Sequence, residues 1–393
     1  MAVIDKEFND ACKRISTQGR EYENKSRGVK RLQVPSITFK HDLSKGFPAI
    51  TNKQLPFKFI KGELIWFLRG DTNVKYLVDN GIGIWNKDAY NLYIKIASQN
   101  LGSEANGIYR QNRDGTFSMH SFKGFIESIS GLSMKSLKHY CSYNGYTLGD
   151  VGRNYSAQWR DFQGEAIGYN PDDNSFVYER HDQIATLLKE MVEDIMSSRL
   201  KVEAWNPAEL DKTALPPCHD HFQVIGVPLS LEERIAISGF SEAAVKNSNI
   251  TNQNADEFLH HIPKFGFELH WNQRSVDTFL GLPFNIASYA LIAKILEEVT
   301  GFPALGIEGA LKCVHFYDNQ YEAVELMMSR DINQHSNCEL VFSKEFKMLC
   351  KAFRDGVVDV NELFGEMDLT MFKLEGYTSD EAINVEMLAP IKL

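Results

Sequence analysis

Three observations predict a globular fold that mixes helices with strands. Residues 181–199 carry Ile184, Leu187, Leu188, Met191, Val192, Ile195 and Met196 along one helical stripe. Phe265, Phe267, Leu269 and Trp271 alternate instead with the strand period, as a half-buried strand does. A content of 43% apolar and 24% charged residues over 393 positions allows a sizeable core, in one large domain or two. The net charge of −10 argues against a nucleic-acid coat or a membrane-surface protein, while leaving room for a local basic pocket. The six cysteines (12, 141, 218, 313, 338 and 350) are widely spaced without a C-x-x-C pair, which fits reduced thiols better than disulfides or a zinc site. The charged N-terminus is no signal peptide, and the most apolar run, Ala287 to Leu296, is broken by Lys294 and too short to cross a bilayer. A soluble cytoplasmic protein without metal is expected.

In chain order, Ile4, Phe8, Cys12 and Ile15 predict a surface helix from residue 1 to about 24. A basic cluster, Lys25, Arg27, Lys30 and Arg31, precedes a strand-like S-I-T-F; Arg27 is either an anion contact or part of a solvated turn. Pro56 opens a helix with Phe57, Ile60, Leu64 and Phe67 on one face and Gly70 at its end. Glu63 falls among apolar neighbours there, so its carboxylate is either paired or working. A short helix over 72–80 stops at Gly81 and leads to Trp85. Residues 91–148, rich in Ser, Asn and Gly, read as an insertion or small subdomain. Beyond the helix over 181–199, strand-like runs are expected at 222–228, 234–238 and 265–271. Gly281, Leu282 and Pro283 then lead a long helix to about 299, with Asn285 in its first turn. A strand over 304–317 puts Cys313, His315 and Tyr317 on one face, and residues 320–393 mix helix and loop.

Pro216 and Pro217 fix the backbone ahead of Cys218 and deny it a helix. His219 follows, and Phe222, Val224 and Ile225 open a strand. Cys218 is therefore either a nucleophile, reactive as its thiolate, or a buried structural cysteine.

Several stretches together resemble the thymidylate synthase superfamily, and in its order: G-E-L-I-W-F-L-R-G-D-T-N, A-W-N-P-A-E-L-D, L-P-P-C-H, N-Q-R-S-V-D-T-F-L-G-L-P-F-N-I-A-S-Y-A and V-H-F-Y-D-N-Q. The likeness covers most of the chain outside insertions at about 91–148 and 226–263 and an extended C-terminal segment, 320–393. It favours the nucleophile. It implies one α+β catalytic domain over 1–393, with a large mixed β-sheet flanked by helices and a homodimer formed through the sheet face. It further implies that Cys218 adds to C6 of dUMP, so that C5 attacks a one-carbon unit from 5,10-methylenetetrahydrofolate. Arg274 would lie near the thiolate and the phosphate, which Ser275, Arg27 and Arg199 would share, Arg199 across the dimer interface. The usual arginine pair reads Ser198–Arg199 here, which makes Lys201 a candidate for the missing cation. Glu63 would position water and relay protons, His219 would flank the nucleophile, and Tyr155 would serve proton removal at C5. His315 and Tyr317 would bind the sugar 3′-hydroxyl. Asp277 would meet the pterin, with Trp85, Asp88, Leu280, Gly281 and the C-terminal residues around it.

In the same resemblance Asn285 selects the base. An amide matches uracil's O4 acceptor and N3–H donor, whereas cytosine hydroxymethylases place an aspartate there, so the nucleotide is dUMP. The product is read from departures. I-W-N-K-D-A puts Asp88 where synthases carry a second tryptophan, and Asn272, Cys313 and Gln320 replace a tyrosine, an aspartate and a histidine. These resemble the phage deoxyuridylate hydroxymethylases and predict that water adds to the exocyclic methylene, giving 5-hydroxymethyl-dUMP. The alternatives are a thymidylate synthase and a silent nucleotide- or RNA-binding regulator.

Overall fold

The computed structural model describes residues 3–24, 28–99, 107–112, 116–143, 145–172, 175–241, 244–245, 248 and 250–386. Its centre is a sheet of β1 (Arg20–Asn24), β2 (Val29–Asp42), β3 (Lys201–Glu203), β4 (His219–Pro228), β5 (Phe265–Gln273), β6 (Val276–Asp277) and β7 (Ala304–Tyr317). The spatial order is β1-β2-β7-β5-β4-β3, with β6 also on β7. β5 and β6 run parallel to β7 and the other pairs are antiparallel. This is the α+β fold with a large mixed sheet that the sequence led us to expect.

Helices flank the sheet: α1 (Val3–Gln18), α2 (Phe57–Leu68), α3 (Asn86–Ala97), α4 (Tyr155–Arg160), α5 (Gln183–Glu193) and α6 (Leu282–Thr300). α6 starts on Pro283 in its first turn and ends at Gly301, whose φ of 82° suits a residue without a side chain. It is buried on most of its circumference, from Ile286 and Ala287 to Leu296, as its nearly unbroken apolar sequence requires. α2 buries Ile60, Leu64 and Phe67 as expected and turns out at Gly70, φ 74°. Among the described residues, no helix is long and apolar enough to cross a membrane, and no group of metal-binding side chains forms.

Several expectations are corrected. α1 buries Ile4, Phe8, Cys12 and Ile15 but stops at Gln18, not near 24. A Cβ at Gly19 would lie 2.4 Å from the Ile15 carbonyl; glycine permits the sharp turn after which Arg20–Asn24 pairs with β2. Residues 234–238 are not a strand but part of a helix, Leu231–Ser238. Ser230 and Glu233 form a reciprocal capping box there, and that local bonding outweighs a short R-I-A-I-S alternation. On α5 the stripe narrows: Val192 is exposed within the helix, and Met196 is exposed beyond the break at Asp194. The boundary at 91 falls inside α3, and the one at 226 inside β4. Between α3 and α4, helices Phe122–Gly131 and Met134–Tyr140, capped by Ser121 and Ser133, bury Phe125, Ile129 and Leu137. The segment after 320 adds to its helices an antiparallel pair of short strands, Glu339–Phe342 with Phe372–Glu375. Within β7, Cys313 has φ 45°, where the strand changes partner from β5 to β6. The register with β2 continues across the kink, Lys312 opposite Ser36 and Val314 opposite Val34.

Glycine at 309 is imposed by close approach: a Cβ there would lie 2.4 Å from the Trp271 ring. Trp271 stacks on Tyr289 at 4.8 Å, and Tyr289 holds His219 beside the candidate nucleophile. Gly309→Ala should lower stability by about 1–3 kcal/mol in urea melts, since the ring has no free direction in a close-packed sheet face.

Candidate active site

The loop before β4 carries two consecutive prolines, which offer carbonyls but no N–H groups. Arg274, one residue past β5, takes those carbonyls. Its Nε donates to the Pro217 oxygen at 2.6 Å and a terminal nitrogen donates to the Pro216 oxygen at 2.9 Å. Its backbone N–H donates to the Cys218 carbonyl at 2.8 Å. The guanidinium also stands 4.0 Å from Cys218 Sγ and 5.2 Å over the Trp205 ring. A cation so placed stabilises a thiolate.

From the other side the Cys218 N–H donates to the Tyr155 hydroxyl oxygen at 2.7 Å. Tyr155 begins α4 and stacks on His219, centroids 4.1 Å apart and planes 16° apart. The His219 Nδ1 is hydrogen-bonded with the Tyr289 hydroxyl at 2.8 Å. Burial holds the Tyr155 phenol well above its usual range and pushes His219 down to about 3. Part of His219 reaches the cavity wall, yet its ring is enclosed between aromatics and neutral. It orients the loop as an uncharged group.

Glu63 is both paired and perturbed. The Trp85 indole N–H donates to its Oε1 at 2.6 Å, while loss of solvation pushes the carboxyl up to about 7. Trp85 packs on Trp66 and Tyr155 at 5.5 and 6.3 Å. Behind Glu63, a cleft of about 10 Å³ between Phe67, Trp159, His219 and Tyr289 has the size of a single water.

Several of these groups face a cavity of about 710 Å³, whose lining does not include Arg274. Cys218, Glu63, Tyr155, His219, Ser275 and Asn285 line one part, and Trp85, Asp88, Asp277, Leu280 and Gly281 another, with Ala382 to Val385 across the mouth. Among the expected substrate contacts, Arg199 is exposed on the loop before β3 and does not line the cavity. His315 and Tyr317 are buried on β7, His315 in register with Asp277, and are not in the lining. Lys201 pairs with Glu203 at 2.5 Å. Arg27 lies outside the described residues.

Three neighbours had no stated role in the sequence. Gln273 donates to the Asn285 Oδ1 at 2.9 Å, which fixes the amide in the cavity wall; its place in Q-R-S was the available signal. Lys53 is buried, donates to the Phe279 carbonyl, lies 3.8 Å from the Phe279 ring, and is pushed down to about 8 by burial. A lysine in a loop gives no sign of such burial. Gln320, notable in the sequence only as a departure, donates to both oxygens of Asp277.

The family model described as thymidylate synthase matches residues 6–389. The chain belongs to the thymidylate synthase family. A thymidylate synthase of Listeria monocytogenes is 28% identical over 391 residues, 99% of this chain and 100% of that relative. One from Listeria innocua is 28% identical over the same span, and one from Malacoplasma penetrans is 30% identical over 342 residues, 87% of this chain and 90% of the relative. This thymidylate synthase-family chain thus aligns with full-length relatives while differing from them at most positions.

In this family member Glu63 carries its own pH signature. Its folded-state value lies above the ordinary 4.5, near 7, so folding takes up a proton between the two values. The group's contribution to stability therefore falls as pH rises through that window. Glu63→Gln removes the titration and keeps an acceptor for Trp85. Between about pH 5 and about pH 8 the variant should gain melting temperature relative to the wild type. Parallel melting curves across that range would contradict a raised carboxyl.

Proposed function

We propose that this chain transfers a one-carbon unit to C5 of dUMP and releases 5-hydroxymethyl-dUMP. Membership of the thymidylate synthase family supports one-carbon transfer to dUMP. The observation that carries the finer reading is Asp88, a half-buried carboxylate on α3 that lines the same cavity as Cys218 and Trp85. The cavity fits a reduced folate. Leu55, Ile84, Leu280 and Phe284 provide apolar walls beside the Trp85 indole, and Asp277 offers a carboxylate to ring N–H groups. Bound there, 5,10-methylenetetrahydrofolate supplies the one-carbon unit.

The protein's residues do the rest. Cys218 Sγ bonds to C6 of the uracil, and the displaced π electrons move to C5 and O4. Asn285, with its oxygen held by Gln273, offers its amide N–H groups to O4, and its oxygen has a second lone pair for N3–H. Glu63, near neutrality in its titration, moves a proton at O4 through water. Tyr155 keeps its own proton and accepts the Cys218 N–H, so water bound at its hydroxyl, rather than the phenol itself, takes the C5 proton. Once C5 bears an exocyclic methylene, water bonds to that carbon and its proton passes to the Asp88 side of the cavity. The electrons return to C5=C6 and expel the Cys218 thiolate. Arg199, exposed and outside this cavity, completes the phosphate site of a second subunit in a homodimer.

Trp85, kept at the cavity wall by Glu63, favours a second reading in which the same carbon is reduced and thymidylate leaves with dihydrofolate. Purified protein with dUMP and methylenetetrahydrofolate decides between them. A hydroxymethyl nucleotide by mass spectrometry without dihydrofolate absorbance is the expected result; thymidylate with equal dihydrofolate refutes it. Cys218→Ser should abolish turnover and leave dUMP binding largely intact. Asn285→Asp should shift kcat/KM from dUMP toward dCMP by at least about a hundredfold, because the base edge is then mismatched.

A further inference from the structure

We propose that Gln320 is the positioning residue that presents the Asp277 carboxylate to the reduced folate. This rests on the folate reading of the cavity given above. Gln320 is fully buried at the end of a single 3-10 turn that follows β7. Its amide nitrogen donates to Asp277 Oδ1 and Oδ2 at 3.2 and 3.0 Å, and its amide oxygen accepts the Tyr317 N–H at 3.0 Å. Both ends of the amide are thus satisfied, one by the strand and one by the carboxylate. The Leu280 N–H donates to Asp277 Oδ1 at 3.0 Å and the Phe279 backbone also bonds to the carboxyl, so the group is gripped from two sides while Asp277 lines the cavity. Lys53 lies near enough to act on its charge, and His315 pairs with it in register across β6 and β7. A neutral amide as the main holder leaves Asp277 an acceptor and adds no charge that would titrate in its place. A ligand edge made of donors, such as the ring N–H and amino groups of a pterin, requires an acceptor of that kind held still.

The test uses the full chain and tetrahydrofolate as probe, read by tryptophan fluorescence quenching and calorimetry, with dUMP binding and the melting temperature alongside. Gln320→Met keeps the side-chain length and removes the donor. It should weaken tetrahydrofolate binding roughly tenfold or more and raise KM for the folate, leaving dUMP binding and kcat at saturation near the wild type. Gln320→Glu keeps the acceptor for Tyr317 and donates to Asp277 only while the introduced carboxyl is protonated. Tetrahydrofolate binding by this variant should therefore recover as pH falls and be lost as pH rises, a profile that a packing role would not produce. Wild-type affinity in both variants, with Asp277→Asn impaired, overturns the role of Gln320 alone. Failure of the wild type to bind tetrahydrofolate, or full binding by Asp277→Asn, overturns the folate reading and this inference with it.

Discussion

The contact on which the site depends is the Arg274 guanidinium against the loop 216–218. Two prolines strip that loop of the N–H groups with which it could bond to itself, so its carbonyls need an outside donor. Arg274 supplies donors to three consecutive carbonyls and brings its charge to 4.0 Å from the Cys218 sulfur. It can do so because β4 and β5 pair with His219 opposite Gln273, which sets the residue after β5 beside the residue before β4. Sheet register, loop conformation and the surroundings of the Cys218 sulfur are one arrangement. Loss of the guanidinium would leave half-buried carbonyls unsatisfied as well as an unassisted thiol.

Desolvation is the common cause of the perturbed groups around the cavity. It raises Glu63 and Asp277 and lowers Lys53 and His219, favouring the neutral form in every case. Around Glu63 and His219 the aromatic wall of Trp66, Phe67, Trp85 and Tyr155 excludes solvent from one side. Such a wall strengthens each remaining hydrogen bond, which is why Trp85 to Glu63 and Tyr155 to Cys218 can hold the reacting groups without mobile charge. Asp88 adds a second carboxylate, besides Asp277, to the part of the cavity walled by Trp85 and Leu280. Asp88 and the retained Trp85 line the same cavity, and the proposed choice between adding water and excluding it rests on that pair.

The fold was legible wherever one period ran long enough. α6, α2 and β5 came out as the spacing of their apolar residues demanded, since burial of one face fixes both the element and its orientation. It failed where local bonding or a single φ angle decides: the capping box at Ser230, the turn at Gly19, and the kink at Cys313. None of these alters hydrophobic spacing, so none is visible to a periodicity argument.

The sequence by itself determined the chemical inventory: a cysteine after two prolines, the Q-R-S motif, an amide at 285 and a carboxylate at 63 and at 88. Their types and order are read directly from residues and from the likeness to a family. Only the tertiary structure decided their states. Whether Glu63 is paired, whether His219 is charged, what holds Asp277 and where Lys53 lies all depend on atoms brought together from segments hundreds of residues apart, as Lys53 and Phe279 are. Solvation and hydrogen-bond distance are properties of that three-dimensional neighbourhood, and a linear pattern carries neither.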